Sequence, residues 1–356
     1  MNVDSTPRSP TMADVATVAG VSHQTVSRVL NDHPNVRSST RERVLAAISK
    51  LGYRRNSSAR ALVTRRTNTL GVVALDTTLY GPASTLLGIE WAARNAGYFI
   101  SIVSLKKITR SGVDEALEYL AEQSVDGFIV IAPHRWAATA LAGLPAQLPA
   151  VAVEGGEAGA LPAVAVDQVA GASLATQHLL DQGHETVWHV AGPTDWLESE
   201  GRVRGWRQTL EAAQVPQPEL IYGDWSPRSG HEAGRVLMDK LRNRATDPTG
   251  TSDPPLSAVF VANDQMALGL LRACHEAGVR VPEDISVVGF DDIPEAEFFS
   301  PPLTTVRQDF AEVGRRSLDM LLAQIEGGAK RGEEHRAIVA PEFIVRESTR
   351  VHQDVS

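Results

Sequence analysis

Cysteine is almost absent from the 356-residue sequence, in which Cys274 is the single one. A lone thiol cannot form an internal disulfide, which excludes a disulfide-stapled secreted scaffold and fits a reducing compartment. Long apolar runs are also missing, because prolines and glutamates interrupt the most apolar stretch at 137–166. The N-terminal segment contains no apolar core of the kind that a secretory signal needs. These absences predict a cytoplasmic protein with no membrane partner.

Basic and acidic side chains are distributed unevenly along the chain, whose net charge is −9. Residues 1–66 contain 11 basic and 4 acidic side chains, which gives this segment a net charge of +7. The rest of the chain contains 23 basic and 39 acidic side chains, a net charge of −16. A basic arm on an acidic body is the asymmetry expected when one end of a protein meets a phosphate backbone.

Two helices joined by a short turn are predicted near the N-terminus. Thr11 and Asp14 have the spacing of a capping box, and Gly20 suits the end of the first helix. Ser22 is placed to cap a second helix over residues 23–31. This arrangement is typical of a helix-turn-helix unit, whose second helix enters the major groove of DNA.

A third helix is predicted to follow, capped by Ser39 with Glu42 three residues on, and ended by Gly52. In the second helix, Gln and Arg on the open face are able to hydrogen-bond to base edges in a bidentate fashion. Short polar side chains suit contacts with phosphate groups, which position the protein on the DNA without distinguishing one base sequence from another. The side chains expected to face bases are His23, Gln24, Ser27 and Arg28, and those expected to contact the backbone are Thr11, Ser22, Thr25, Asn31 and Arg37.

The segment TMADVATVAGVSHQTVSRVLN closely resembles the DNA-binding headpiece of the lac repressor family. The resemblance implies that residues 1–53 form this headpiece. One departure is His23, because the lac repressor branch of the family has a tyrosine there, so the preferred operator need not be the same. The alternative is a three-helix bundle with no DNA role, which the match of every motif element disfavours.

Residues 54–67 are polar and basic around a short apolar core that is long enough for about two helical turns. Such short helices are marginal in water, so the segment is expected to be disordered when free and helical on DNA. The resemblance implies a hinge helix that pairs with its twin in the minor groove and inserts Leu62 between base pairs. A plain flexible linker is the alternative. The expected DNA contacts of this segment are Asn56, Ala59 and Leu62.

From residue 68 onward, short apolar runs alternate with amphipathic stretches. Strands are expected at 70–75, 99–105, 127–132, 150–153, 187–192, 258–262 and 285–290. Helices are expected at 84–96, 112–124, 169–182, 202–213, 229–242, 265–277 and 309–326. The alternation predicts an α/β body of two doubly wound parallel-sheet lobes behind the all-α headpiece. No glycine-rich dinucleotide or P-loop motif follows any of these strands, which disfavours a nucleotide cofactor.

The body resembles the periplasmic-binding-protein-like body of the same family in GHETVWHVAGP, VFVANDQMALG, DISVVGFDDIPE and PPLTTVRQDFAEVG. The resemblance implies a body over 68–346 and a tail over 347–356. The expected first lobe contains about 68–166 and 308–335, and the expected second lobe contains about 167–305 and 336–346.

Polar side chains follow two of the predicted strands, where ligands bind in sheets of this kind. Asn263 follows strand 258–262, and Asp291 follows strand 285–290, whereas Asp264 is expected to cap the next helix. Asp, Asn and Arg supply the paired donors and acceptors that sugar hydroxyls need, and tryptophan supplies a flat apolar face. The ligand contacts that the resemblance implies are Leu79, Pro82, Glu154, Arg202, Trp225, Asn263, Asp291 and Gln308. Ordinary core, turn or surface roles are the alternative for each residue.

These features predict a homodimeric repressor that binds a palindromic double-stranded operator and that a small sugar releases from DNA. The expected inducer is a galactoside or related disaccharide, because three segments resemble the lac repressor branch of the family: GDWS, ANDQMALG and RQDF. The alternative effector is a purine or another metabolite that acts as a co-repressor. The candidate dimer contacts are the apolar side chains Leu86, Leu87, Ile89, Leu268 and Leu271.

A glycosidase that uses two carboxylates is disfavoured, because Asp291 and Asp292 are adjacent and are expected to point apart. Neither a Ser-His-Asp order nor a metal-ligand spacing stands out in the sequence. We therefore expect no enzymatic activity, no cofactor and no metal. A sugar carrier without a regulatory role is disfavoured by the headpiece.

Overall fold

The computed structural model of the chain describes residues 10–54, 66–75, 77–105, 109–134, 149–154, 161–246, 254–327 and 336–352. Contacts between residues divide the chain into two units, 1–67 and 68–356. The predicted hinge contacts Asn56, Ala59 and Leu62 lie outside the described residues.

The described part of the N-terminal unit folds into the helices α1 (Met12–Ala19), α2 (His23–Leu30) and α3 (Ser38–Leu51). The predicted capping box is confirmed, because the Thr11 N–H donates to Asp14 Oδ2 over 2.7 Å and the Asp14 N–H donates to Thr11 Oγ1 over 3.4 Å. Gly20 ends α1 in the left-handed conformation, at φ +63°, which glycine adopts at little cost. Ser22 caps α2 as predicted, accepting a hydrogen bond from the Thr25 N–H over 3.2 Å.

The start of α3 differs from the prediction, which made Ser39 its N-cap. The carbonyl oxygen of Arg37 accepts hydrogen bonds from the N–H groups of Thr40 and Arg41, each over 3.0 Å, so Arg37 is the cap residue. Ser39 already lies inside the first turn, where its hydroxyl is not in a capping position. Gly52 ends the helix as predicted, at φ +63°.

A small apolar core holds the three helices together. Valine and alanine dominate it, and their spacing along each helix places them on one face. Its buried members are Val15, Ala16, Ala19, Val26, Val29, Val44, Ala47 and Tyr53.

The body alternates strands and helices, as its sequence pattern predicts. The strands among its described residues are β1 (Thr69–Leu75), β2 (Phe99–Leu105), β3 (Gly127–Ile131), β4 (Ala150–Val153), β5 (Ala163–Val166), β6 (Trp188–Ala191), β7 (Ile221–Tyr222), β8 (Ala258–Val261), β9 (Ser286–Val288), β10 (Thr305–Arg307), β11 (Arg336–Val339) and β12 (Glu342–Ile344). The helices are α4 (Tyr80–Asn95), α5 (Arg110–Glu122), α6 (Gln168–Asp181), α7 (Leu197–Ala213), α8 (Pro227–Thr246), α9 (Asp264–Ala277) and α10 (Phe310–Ile325), with a 3₁₀ turn at Ala296–Phe298.

The first lobe contains a parallel six-stranded sheet in the order β11-β5-β4-β3-β1-β2. Helix α10 packs on β3, β4 and β5 beside α4. Strand β11 belongs to this sheet because Arg336 pairs with Ala163 and Val339 pairs with Val166. The expectation that residues 336–339 lie in the second lobe is therefore wrong.

Helices α4 and α10 approach each other closely through glycines. A Cβ atom on Gly88 would lie 2.4 Å from the carbonyl oxygen of Phe310, and one on Gly314 would lie 2.2 Å from the carbonyl carbon of Gly88. Glycine at these two positions therefore allows the backbones of α4 and α10 to pack in direct contact.

The second lobe contains a parallel four-stranded sheet in the order β7-β6-β8-β9, with helix pairs α6–α7 and α8–α9. A short antiparallel ladder joins β10 to β12. The expected tail is in part a component of this lobe, since the Val287 N–H donates to the carbonyl oxygen of Ser348 and the His352 N–H donates to that of Gln182, over 2.8 and 2.7 Å. Backbone hydrogen bonds thus hold the described tail residues.

Two of the five candidate dimer contacts are core residues. Ile89 packs in the first lobe and Leu271 in the second, at 0% and 7% exposure, so neither is available to a partner chain. Leu87 and Leu268 are 51% and 43% exposed, and Leu86 is half-buried.

Candidate ligand cleft and DNA-reading helix

A cleft in the body, open to solvent, receives side chains from both lobes. All eight residues predicted to contact a ligand line it: Leu79, Pro82, Glu154, Arg202, Trp225, Asn263, Asp291 and Gln308. Further lining residues, which were not among the predicted contacts, are Tyr80, Gly81, Thr85, Ile131, Gln168, Trp196, Glu198, Gln265 and Phe310. The structure therefore brings together side chains that are far apart in the sequence.

A closed ring of hydrogen bonds lies at one wall of this cleft. Arg202 Nε donates to Gln168 Oε1 over 2.9 Å, and Nη2 lies 3.5 Å from Asp291 Oδ1. Gln308 Nε2 donates to the same Asp291 oxygen over 2.7 Å, and Gln168 Nε2 donates to Gln308 Oε1 over 2.8 Å. Gln168 begins α6 just after β5, and Gln308 precedes α10, so the ring lies beside two of the places where the chain passes between the lobes.

The Arg202 guanidinium is held on its other sides as well. Its Nη1 donates to the carbonyl oxygen of Ala262. Its Cζ lies 3.9 Å from the ring centroid of Phe290 and 5.4 Å from that of Trp225, distances at which aromatic faces attract a cation. Arg202 is only 4% exposed, and these contacts replace the water that it loses.

Three lining residues have a left-handed backbone although none is a glycine. Glu154 has a φ of +60°, Trp225 of +73° and Asp291 of +109°. Such conformations cost of order 1–3 kcal/mol each and persist where the surroundings enforce them, often at functional sites. Their grouping around one cleft makes it a candidate functional site independently of the residue types.

Carboxyl groups in the cleft have raised pKa values. Burial raises the pKa of Glu154 to about 7, although the Val166 N–H and Arg202 oppose this shift. Burial also raises the pKa of Asp291 to about 6, against the pull of Arg202 and Gln308. Burial and then the charge of Glu154 raise the pKa of Glu198 well above its ordinary value. The cleft therefore holds carboxyl groups that titrate near neutral pH.

Asp264, expected as the cap of α9, has a different role. Asn263 is the N-cap, because its Oδ1 accepts a hydrogen bond from the Met266 N–H over 2.9 Å. Asp264 is the first helical residue and is fully buried, with its carboxylate accepting from the Ile293 N–H over 2.9 Å and from Thr305 Oγ1 over 2.6 Å. Asp264 therefore ties α9 to the loop after β9 and to β10.

Aromatic side chains line two parts of the cleft. Trp225 and Trp196 meet edge to face with ring centroids 5.6 Å apart, and Tyr80 meets Phe310 in the same way at 5.9 Å. Trp225 is 6% exposed, and its buried Nε1–H has no hydrogen-bond partner among the described residues. Flat apolar faces with a spare donor suit a ring that bears hydroxyl groups.

Asp291 and Asp292 point in different directions. Asp291 joins the ring at the cleft wall, whereas Asp292 Oδ2 accepts from Arg307 Nε and Asp292 Oδ1 accepts from Arg346 Nη2, each over 2.7 Å. Two carboxyl groups that face separate partners are not the opposed pair that glycoside hydrolysis requires.

Helix α2 carries its polar side chains outward. His23, Gln24 and Arg28 are exposed, Ser27 is half-buried, and Val26 packs in the core of the headpiece. Of the residues assigned to phosphate contacts, Ser22, Asn31 and Arg37 are exposed, while Thr11 and Thr25 are half-buried. The exposed set forms a polar surface that a major groove is able to receive.

The sequence matches two family descriptions. Residues 11–56 match "Bacterial regulatory proteins, lacI family", and residues 176–349 match "Periplasmic binding protein-like domain". The HTH-type transcriptional regulator CelR of Thermobifida fusca is 36% identical over 96% of this chain and 98% of its own length. This chain belongs to the lacI family. The lactose operon repressor of Escherichia coli is 35% identical over 91% of this chain and 87% of its own length.

Solved structures agree with this assignment to the lacI family. The lac repressor dimer bound to operator and an anti-inducer has a TM-score of 0.83 at 31% identity, covering 96% of this chain and all of that chain. The CelR–cellobiose complex has a TM-score of 0.68 at 33% identity, covering 95% and 99% of the two chains. This lacI-family protein is thus a DNA-binding transcriptional repressor with a periplasmic-binding-protein-like body.

The described residues show two further features of this lacI-family chain. None of the helices among them is both long and apolar enough to cross a membrane. They also contain no group of three or more His, Cys, Asp or Glu side chains placed to hold a metal ion.

Gln168 is the most informative residue that sequence reasoning missed. It lies two residues after β5, a four-residue strand that was not predicted, so its place near the end of a strand was not apparent. The signal was present, since AVAV at 163–166 repeats the sequence of β4 at 150–153.

Proposed function

We propose that this lacI-family repressor binds a palindromic operator as a cytoplasmic homodimer and releases it when a small sugar fills the cleft. The proposed inducer is a galactoside or a related disaccharide. The observation that supports the proposal is the grouping of Arg202, Asn263 and Asp291 with Trp225 in one cleft. Paired polar groups beside an aromatic face are the usual means of binding a polyhydroxylated ring.

The two units of the chain have different proposed roles. Residues 1–53 read DNA, residues 54–67 form the hinge, and the body binds the sugar and the partner subunit. Exposed Leu87 and Leu268 are the proposed dimer contacts. The relatives support a disaccharide, because CelR was solved with cellobiose and the lactose operon repressor carries lactose in its name.

Induction requires that the sugar bind the state of low DNA affinity more tightly than the operator-bound state. Operator and sugar then weaken each other by the same factor, because the coupling free energy is reciprocal. The hydrogen-bond ring beside the chain crossovers is the proposed element through which a bound sugar changes the angle between the lobes. A tenfold change in operator affinity corresponds to about 1.4 kcal/mol of coupling.

The test uses the full-length protein and an operator that it selects from a pool of random palindromic duplexes. Fluorescence anisotropy then measures operator affinity with cellobiose, lactose or a purine base added. We expect one of the disaccharides to weaken operator binding at least about tenfold, and the purine to leave it unchanged. A purine that tightens binding while both sugars are inert would establish the co-repressor alternative instead.

Asp291→Asn provides the matched variant, since it keeps the shape of the side chain and removes its charge. The variant should bind the operator as the wild type does and lose the response to the sugar. The exposed neighbour Glu295→Gln serves as the control and should keep the response.

A further inference from the structure

Two short segments beside the cleft bring the lobes into direct contact. Pro133 and His134 follow β3 in the first lobe, and Asp195, Trp196 and Leu197 lead into α7 in the second. The Leu197 N–H donates to the Pro133 carbonyl oxygen over 2.8 Å, and His134 forms an isolated antiparallel β-bridge with Trp196. This contact between residues 133–134 and 195–197 is the interlobe latch, and separating the lobes here would break it.

Side chains reinforce the interlobe latch unequally. The imidazole of His134 packs on the Trp196 ring with 4.8 Å between ring centroids, and His134 is only 9% exposed. The His134 Nδ1 also lies 3.3 Å from Asp195 Oδ2, but the Asp195 side chain is 62% exposed. Polar contacts that open to water contribute little free energy. The ring contact between His134 and Trp196 is therefore the main side-chain component of the latch.

The two tryptophans of the cleft are held in different ways. Trp225 lies directly on the backbone of Gly192 in its own lobe, where a Cβ atom at position 192 would overlap the indole ring. Trp196 is half-buried, and its ring meets Trp225 of the second lobe on one side and His134 of the first lobe on another. The position of Trp196 thus depends on the arrangement of the lobes, whereas Trp225 is fixed within one lobe.

The tryptophan pair also bears a sign that a ligand completes it. The indole N–H of Trp225 is buried without an acceptor among the described residues, and both tryptophans line the cleft. A sugar hydroxyl is able to accept from this N–H. Because the two rings are in contact, a sugar bound there lies beside Trp196 as well. A bound sugar and the interlobe latch therefore meet at the same side chain.

We infer that His134 is a positioning residue for sugar binding, which holds Trp196 against the bound sugar through the interlobe latch and so slows release of the sugar. The inference rests on the proposed sugar-binding function and adds a residue that does not itself line the cleft. Without the imidazole, Trp196 loses its ring contact with the first lobe, and the sugar escapes faster. Entry changes less, because the sugar enters while the lobes are apart.

Stopped-flow fluorescence of the full-length protein tests this inference, with cellobiose and lactose as probes. Trp196 and Trp225 line the cleft, so their emission reports binding. In His134→Ala we expect the dissociation rate constant to rise at least about tenfold and the association rate constant to stay within about threefold of the wild type. His134→Phe keeps a ring against Trp196 and should restore the dissociation rate constant to within about threefold.

Two further variants separate positioning from a general loosening of the fold. Asp195→Ala is the matched control, because it removes only the exposed contact of the same latch and should keep both rate constants within about twofold. In a Trp196→Leu background, His134→Ala should have no further effect on the dissociation rate constant. This non-additivity is expected because His134 acts through Trp196.

The outcomes are distinct. An unchanged dissociation rate constant in His134→Ala, or an equal effect with and without Trp196, overturns the role of His134 and leaves sugar induction intact. If neither disaccharide binds the wild type, the proposed disaccharide function itself fails and the inference falls with it. Should His134→Ala not fold, His134→Gln decides the question, because it also removes the ring and should speed release.

Discussion

Helix α2 and the cleft present their polar side chains in opposite ways. On α2, His23, Gln24 and Arg28 project into solvent and leave the packing of the headpiece to valines and alanines. In the cleft, Arg202 and Asp291 are 4% and 7% exposed and bind each other as well as neighbouring amides. An exposed residue of α2 thus contributes little to the free energy of unfolding, whereas a buried polar residue of the cleft contributes to it directly.

The largest expected effect on the free energy of unfolding comes from Arg202→Met. The substitution keeps the aliphatic bulk, removes the donor of Gln168 and of the Ala262 carbonyl, and leaves the buried Asp291 carboxyl without its cationic partner, so we expect a loss of about 3–5 kcal/mol. Urea denaturation followed by tryptophan fluorescence measures it. Arg207→Met, an exposed change on the same helix, should cost less than about 0.5 kcal/mol. Equal effects for the two variants would contradict the central place of Arg202 in the cleft wall.

The next effect is a pH dependence that arises from His189. This residue is buried, stacks on Phe260 at 4.5 Å between ring centroids, and donates from Nδ1 to the Phe260 carbonyl oxygen over 2.9 Å. Burial lowers its pKa to about 4, with the charge of Arg202 acting in the same direction. The unfolded state therefore binds the proton first, and stability that is present above pH 6.5 is lost as the pH falls towards 4.

The size of this loss is about 3 kcal/mol at full protonation. It is measured by urea unfolding of wild type and His189→Gln at several pH values between 4 and 7. The difference in stability between the two proteins should shrink as the pH falls. A constant difference for His189→Gln would mean that the buried imidazole does not titrate as expected.

A purely steric effect of about 1–3 kcal/mol is expected from Gly88→Ala. The new Cβ would lie 2.4 Å from the carbonyl oxygen of Phe310, so α4 and α10 must move apart. Gly81→Ala is the matched control in the same helix, since its Cβ meets only the ring tip of Phe310 at 3.9 Å. Thermal unfolding should show a lower Tm for the first variant and an unchanged or higher Tm for the second, because alanine favours helix.

Local structure was predictable from the sequence where it depends on neighbouring residues. The capping box of Thr11 and Asp14 and the glycine end of α1 follow from spacing alone, and so the headpiece was largely correct. The start of α3 was predicted two residues too late, because Ser39 has the residue type of an N-cap whereas Arg37, the observed cap, makes no side-chain capping hydrogen bond. The eight cleft residues came from a resemblance, and the structure brings them together.

Non-local pairing accounts for what the sequence did not reveal. Strands β7, β10, β11 and β12 have two to four residues, too few for a periodic pattern to distinguish them from loops, whereas β5 was missed although it repeats the AVAV sequence of β4. Residues 336–339 join the first sheet through hydrogen bonds to a strand about 170 positions earlier. The ring of Gln168, Arg202, Asp291 and Gln308 likewise forms only when both lobes are folded.

The smallest effect on stability, and the clearest contrast with the cleft, is expected from Gln24→Ala on α2. Gln24 is exposed, so the free energy of unfolding should stay within about 0.5 kcal/mol of the wild type. If Gln24 reads an adenine edge, the variant should lose about 1–3 kcal/mol of discrimination at one base pair of each half-site. Anisotropy with the selected operator and its single-base variants measures this loss. An equal loss of affinity for every operator variant would instead indicate that Gln24 contacts the DNA backbone. An unfolded headpiece would show that Gln24 contributes to stability, as the cleft residues do.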